Sequence, residues 1–239
     1  VSDHGIEKST NGLFDTPEAR QAQKEIVDAV IRGIAREMIL SGEVEVGVSR
    51  EELSKAAWRR LIELRETGEF SFSMVVDHTD TILQDARKYV DEGKLEYDFV
   101  FYGLYLEHLL NRAIRDRAFQ IGLSEAETME VMKKSLHDKT GVIWLLMFDE
   151  QFPESLAADI RATAAERNAF IHYKWKPDPT TDMLYDEIKR LEERSVATAE
   201  RAALALLDYV DALVIPPDSE SFSWLTRSSQ SSRETLRKE

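Results

Sequence analysis

Residues 95–120 read LEYDFVFYGLYLEHLLNRAIRDRAFQ. Wound as a helix, this stretch is apolar on nearly every face, with Tyr97, Phe99, Phe101, Tyr102, Tyr105 and Phe119 among its members. A helix with one apolar stripe lies on a surface, whereas a helix apolar all round has to be surrounded. The stretch therefore predicts the central member of a helical bundle, ended at Gly122. Scarce turn residues agree: 10 Gly and 6 Pro in 239 residues favour long helices over many short strands.

The flanks supply helices to surround it. Ser73 can cap a helix running to about Glu92, with Gly93 as its stop. On the other side, Ser124 and Glu127 form a capping box for a helix to about His137. A short apolar helix, Val142 to Phe148, precedes Pro153. The next helix carries Leu156, Ile160 and Ala164 and is broken by Trp175-Lys176-Pro177-Asp178-Pro179. A long closing helix, about Asp182 to Leu213, stops at Pro216-Pro217. From Asp218 onward the chain is Ser-rich with no repeating apolar face, although Phe222, Trp224 and Leu225 are available to dock.

Nearer the start, Asp15-Thr16-Pro17-Glu18 opens a helix with Pro just inside, and Gly42 closes it. Val44, Val46 and Val48 alternate with Glu43, Glu45 and Gly47, which is strand spacing. Ser49 and Glu52 cap a helix to about Thr67, and Phe70 and Phe72 alternate again. The expected class is all-α, with room for a small two-stranded ribbon near the start. The chain divides into an N-terminal accessory region (1–72), a bundle (73–214) and a Ser-rich tail (215–239).

Composition narrows the function. With no Cys, disulfides and thiolate metal sites are excluded and a reducing compartment is favoured. No apolar run reaches the ~18 residues of a membrane span, and Val1-Ser2-Asp3-His4-Gly5 lacks a secretion signal. A cytoplasmic location is expected. A formal net charge of −14 argues against a protein that coats duplex DNA. It leaves open a pocket with local positive potential.

The chemistry-bearing stretch is Arg167-Asn168-Ala169-Phe170-Ile171-His172-Tyr173. Arg offers a planar fork of donors to a phosphate, and His moves protons near neutral pH. Asn168 and His172 stand four apart and share a helix face. Lys174 and Lys176 follow, and 167–176 holds no carboxylate. The plainer reading is that the cations answer a helix C-terminal dipole. Glu107, in Leu106-Glu107-His108-Leu109-Leu110-Asn111, is costly to bury on so apolar a helix unless partnered. Its partner is either near Arg167 or local, at Asn111 or Arg112.

Through Arg167-Asn168-Ala169-Phe170-Ile171-His172-Tyr173, the surrounding helix order and the Glu107 segment, residues 73–214 resemble a HEPN domain. This is a helical RNase and nucleotide-binding family of toxins and defence proteins. The resemblance implies a homodimer whose two Arg–His pairs share a cleft and cleave RNA with no metal and no cofactor. His172 would then be general acid or base and Arg167 the stabiliser of phosphoryl charge. Asn168 would be a phosphate or imidazole partner, and Glu107 the acidic support from the earlier helix. Tyr173, Lys174 and Lys176 would contact substrate, and the products would carry a 2′,3′-cyclic phosphate and a 5′-hydroxyl. A toxin or antiphage role implies a regulatory or antitoxin protein partner. Members controlled by nucleotidyltransferase antitoxins often carry Tyr two residues after the His; here Tyr173 is adjacent and position 174 is Lys, so that mode is not expected. Two alternatives stand: a non-catalytic HEPN-like dimerisation or RNA-binding module, and an HD-type metal phosphohydrolase using His108, His137-Asp138 and Asp208.

Overall fold

The computed structural model describes residues 16–68, 78–172 and 185–237. Every regular element among them is a helix, and no strand occurs among them. The chain separates into two compact units, Val1–Phe72 and Ser73–Glu239.

The first unit packs α1 (Pro17–Leu40) on α2 (Arg50–Thr67). Thr16 caps α1 by accepting from the Ala19 amide at 3.2 Å, and Pro17 fills the first turn. Ile31, Ala35 and Ile39, four apart, bury one stripe of α1, and Leu53 and Ala57 do so on α2. Ser49 caps α2, and Gly68 ends it with φ 71°, the left-handed conformation that glycine adopts without Cβ strain. The alternating valines form no strand: residues 41–48 are turns joining the two helices. The Val44 amide donates back to the Met38 carbonyl at 3.1 Å, so it closes α1 instead of joining a ladder. Alternation marks a strand only where a partner strand takes its amides. The other candidate strand, at Phe70 and Phe72, lies outside the described residues.

The second unit is built round α4 (Leu95–Gln120), which packs against α3 (Thr79–Asp91), α8 (Glu154–Ile171) and α9 (Tyr185–Ala212). Two short helices, α5 (Glu125–Met132) and α7 (Val142–Phe148), cover its far end, and α6 (Leu136–Lys139) packs on α7 and α8. Tyr102, Tyr105, Leu106, Leu109, Leu110 and Ala113 of α4 meet Leu83 and Ala86 of α3, Ile160 of α8, and Leu206 and Val210 of α9 in one core. Each such aliphatic side chain contributes on the order of 1.5–3 kcal/mol by leaving water. Trp144 stacks on Phe148 at 4.0 Å and meets the edge of Phe152 at 4.8 Å, locking α7 to the loop before α8.

Three boundaries differ from expectation. Helix α3 starts at Thr79 with His78 at its N-cap, and the expected Ser73 cap lies outside the described residues. The helix opened by the Ser124–Glu127 capping box ends at Met132, and Ser135 starts α6 afresh by accepting from the Asp138 amide. Beyond α9 the chain belongs to the second unit, and residues 222–237 are largely helical: α10 (Phe222–Leu225) and α11 (Arg227–Arg237). Trp224, Leu225 and Leu236 are buried, and α11 lies on α3 and α9. Polar anchors fix it there. Arg87 donates to the Leu236 carbonyl at 2.8 Å, and Ser232 bonds Asp80. Arg233 reaches Asp208 at 2.7 Å and Asp211 at 2.6 Å while lying over the Phe222 ring. Asp211, only 1% exposed, also accepts from Arg112 at 2.7 Å.

Asp211 thus ties α4, α9 and α11 through two guanidinium groups. Asp211→Ala is expected to destabilise the fold by about 3–5 kcal/mol, because it strands buried charge. Urea denaturation measures this, and a cost under about 1 kcal/mol would remove the carboxylate from that role.

Three tyrosines hold their protons unusually tightly. Burial raises the Tyr102 phenol, and the Glu200 carboxylate it donates to at 3.0 Å adds to the rise. Burial also lifts Tyr209, seconded by Glu150, and pushes Tyr105 up to about 12. Each folded-state value lies above the unfolded one near 10. The stability linked to these protons is therefore complete below pH ~10 and is lost as pH climbs through the folded values. Denaturation midpoints should fall steadily above pH 10, and Tyr102→Phe should flatten that fall.

Candidate functional site

Helix α4 supplies the floor of the site. Gly103 and Glu107 stand four apart and share one face, and α8 crosses α4 there. Arg167, near the end of α8, lies across Gly103: a Cβ at that glycine would come within 2.8 Å of Arg167 Cδ. The guanidinium then reaches Glu107, with Nη1 to Oε2 at 3.3 Å. The other Glu107 oxygen, Oε1, accepts from Lys139 Nζ at 3.3 Å. The carboxylate is thus a bridge between two cations. Both bonds lie just beyond the usual N–H···O range, so the pairing leaves Arg167 able to take another acceptor. Arg167 is half-buried and Lys139 is 0% exposed.

The end of α8 is pinned by aromatic contacts. Phe170 meets the Tyr97 ring edge-on at 5.5 Å, and Tyr97 packs on Tyr89 at 5.4 Å, which stacks on Phe101 at 5.2 Å. Anchored in this way, α8 carries its last turn to the surface. Asn168 is exposed, and its Oδ1 receives Arg167 Nε and Nη2 at 3.4 Å each, too long to orient either firmly. His172 is the C-cap of α8. Its backbone amide donates to the Asn168 carbonyl at 3.1 Å, and its imidazole is exposed. Five residues along a helix turn the direction by about 140°, so Arg167 faces α4 while His172 leaves the helix on another side.

Glu107 and Arg167 are therefore brought together, and Asn168 adjoins Arg167. Glu107 does not turn to the local alternatives: Arg112 pairs with Asp211. Tyr173, Lys174 and Lys176 lie outside the described residues. Lys139 was not visible as a site residue, because in sequence it is one more lysine after Lys133 and Lys134, at the end of a four-residue helix. Only the packing of α6 shows that its ammonium is enclosed.

Of the residues set out for an HD-type centre, the two carboxylates are engaged elsewhere. Asp138 accepts from Ser135 at 2.7 Å and Asp208 from Arg233. His108 and His137 are exposed. Among the described residues no three His, Asp or Glu converge as metal ligands. No helix among the described residues is long and apolar enough to cross a membrane.

If Arg167 occupies the groove over Gly103, the two positions are coupled. Gly103→Ala should stabilise an Arg167→Ala background by about 0.5–1 kcal/mol, the ordinary helix gain over glycine. In the wild-type background the same change should give no gain or a loss. Equal effects in both, measured by urea denaturation, would place Arg167 elsewhere.

Compared with protein-family models, curated proteins and solved structures, the chain shows no match.

Proposed function

We propose that the second unit is a HEPN-like, metal-independent endoribonuclease that works as a homodimer. The observation that carries the reading is the Arg167 guanidinium, steered by a carboxylate that a buried ammonium backs, five residues before an exposed imidazole at the same helix end. A guanidinium with room for another acceptor suits the non-bridging oxygens of a phosphodiester. An exposed imidazole suits proton transfer to or from ribose.

In this reading the ribose 2′-oxygen attacks phosphorus and His172 takes its proton. The bond from phosphorus to the 5′-oxygen breaks, and that oxygen leaves with a proton from the second copy's imidazole. Arg167 stabilises the charge on the phosphoryl oxygens during the exchange. Asn168 adds a hydrogen-bonding group beside it, and Glu107 sets the direction of the guanidinium. The products are a 2′,3′-cyclic phosphate and a 5′-hydroxyl. Such an activity in the cytoplasm damages its host. A toxin or antiphage role under a regulatory or antitoxin protein partner therefore belongs to the proposal, as does contact of Tyr173, Lys174 and Lys176 with the strand.

One observation favours a second reading, RNA binding or dimerisation without cleavage. The His172 imidazole has no orienting hydrogen bond or ion pair among the described residues. A general base is normally held in place by a partner.

Incubation with total RNA in EDTA separates the two. Cleavage should persist without divalent ions. It should fall about 100-fold or more in His172→Ala and by a similar factor in Arg167→Ala, with cyclic phosphate ends on the fragments. Wild-type cleavage no greater than that of His172→Ala would end the nuclease reading. RNA binding that survives in both variants would then favour the non-catalytic module, and cleavage only with manganese would favour a metal phosphohydrolase.

A further inference from the structure

Among the described residues, Lys139 is the one lysine among the largest fully buried side chains, and it takes no part in the proposed proton transfers. An enclosed ammonium is unfavourable unless its charge is answered. Here the answer is Glu107 Oε1 at 3.3 Å, the same carboxylate whose other oxygen holds Arg167 at 3.3 Å. Counted as formal charges, Glu107 with Arg167 alone would sum to zero. Seen by an approaching phosphate, the attraction of the guanidinium would be largely cancelled by the carboxylate beside it. Adding Lys139 from behind brings the trio to a net charge of +1. Because Lys139 is sealed from solvent, it cannot itself meet the phosphate, and water screens its effect on Glu107 weakly.

We infer that Lys139 is a positioning residue that neutralises Glu107 from the inside, so that Glu107 can steer Arg167 without consuming its charge. The inference rests on the proposed RNA-binding role of Arg167 and adds the element that sets its anion affinity. Arg167 is the contact, Glu107 its guide, and Lys139 the counter-charge that the protein of net charge −14 places under this one spot.

The test uses the full chain and a fluorescent RNA oligonucleotide of mixed sequence, 2′-O-methylated throughout so that 2′-oxygen attack is blocked. Binding is followed by anisotropy in EDTA, and thermal denaturation is run alongside. Lys139→Met should weaken binding at least tenfold, because the site becomes neutral. Combining it with Glu107→Gln removes both opposing charges, restores the +1, and should return affinity to within about threefold of wild type. In an Arg167→Ala background Lys139→Met should change affinity less than twofold. A lysine that merely fills the core predicts otherwise: the double variant would bind as weakly as Lys139→Met, or folded Lys139→Met would bind like wild type. Either result overturns the inference. Should Lys139→Met fail to fold, the double variant is compared with Glu107→Gln alone: a double variant within threefold of wild type and at least threefold weaker than Glu107→Gln supports the inference, whereas equal affinity of the two, or a tenfold loss in the double variant, overturns it. Loss of cleavage on unmodified RNA with this binding pattern intact would reject the nuclease step only. Absence of oligonucleotide binding by the wild type would overturn both.

Discussion

A helix that is apolar on most of its faces can exist in water only if other helices cover those faces, and a charge carried there must find a partner under the cover. Helix α4 imposes both demands. The first draws α3, α8 and α9 round it and recruits α5 and α7 to its far end. The second fixes the polar architecture. Arg112 takes Asp211 of α9, and Glu107 takes Arg167 of α8 and Lys139 of α6. The candidate site is in this sense a consequence of the fold: an acidic residue on the most enclosed helix obliges cations to gather where α8 ends.

The parts legible in the sequence were those with local causes. Residues 95–120 announced a central helix because apolar side chains on all faces have one stable solution. The starts of α1, α2 and α5 were legible because Pro17, Ser49 and the Ser124–Glu127 box satisfy amides within the first turn. Glu107 invited a search for a partner because a carboxylate on such a helix needs one. Non-local causes were not legible. The valine alternation at 44–48 resembled a strand, but the Val44 amide serves a helix end. The Ser-rich stretch after Asp218 lacked an obvious apolar face because α11 is held as much by Arg233 on Asp208 and Asp211, and by Ser232 on Asp80, as by Leu236. Lys139 does not stand out in the sequence, because enclosure is a property of how α6 packs and leaves no trace in spacing.

The net charge of the protein and the charges within the site act on an approaching anion at different scales. At physiological salt, charges more than about 8 Å apart in water are largely screened. A formal charge of −14 spread over the surface therefore governs solubility and long-range approach rather than what a phosphate feels at Arg167. Within the site the neighbours decide. There the sequence concentrates Lys139 and Arg167 on a single carboxylate, and the immediate surroundings favour an anion although the whole protein repels one. Under the proposed function, this combination suits engagement of a nucleic acid at one point along a strand instead of along its length.

The turn between Arg167 and His172 has its own consequence. Groups five residues apart on one helix diverge by about 140°, and here the first is drawn toward α4 while the second stands at the exposed C-cap. One copy of the chain therefore does not by itself set guanidinium and imidazole on the same phosphate. The two-fold arrangement proposed above would resolve this without changing either side chain, because each copy's His172 would then approach the other's Arg167 across the shared surface. Ile171, between Phe170 and His172 at the helix end, is an exposed apolar side chain that such a surface would cover. Under the proposed function, symmetry is thus the means by which the helix geometry becomes compatible with the chemistry, and a monomer would keep the anion site while losing the proton transfer.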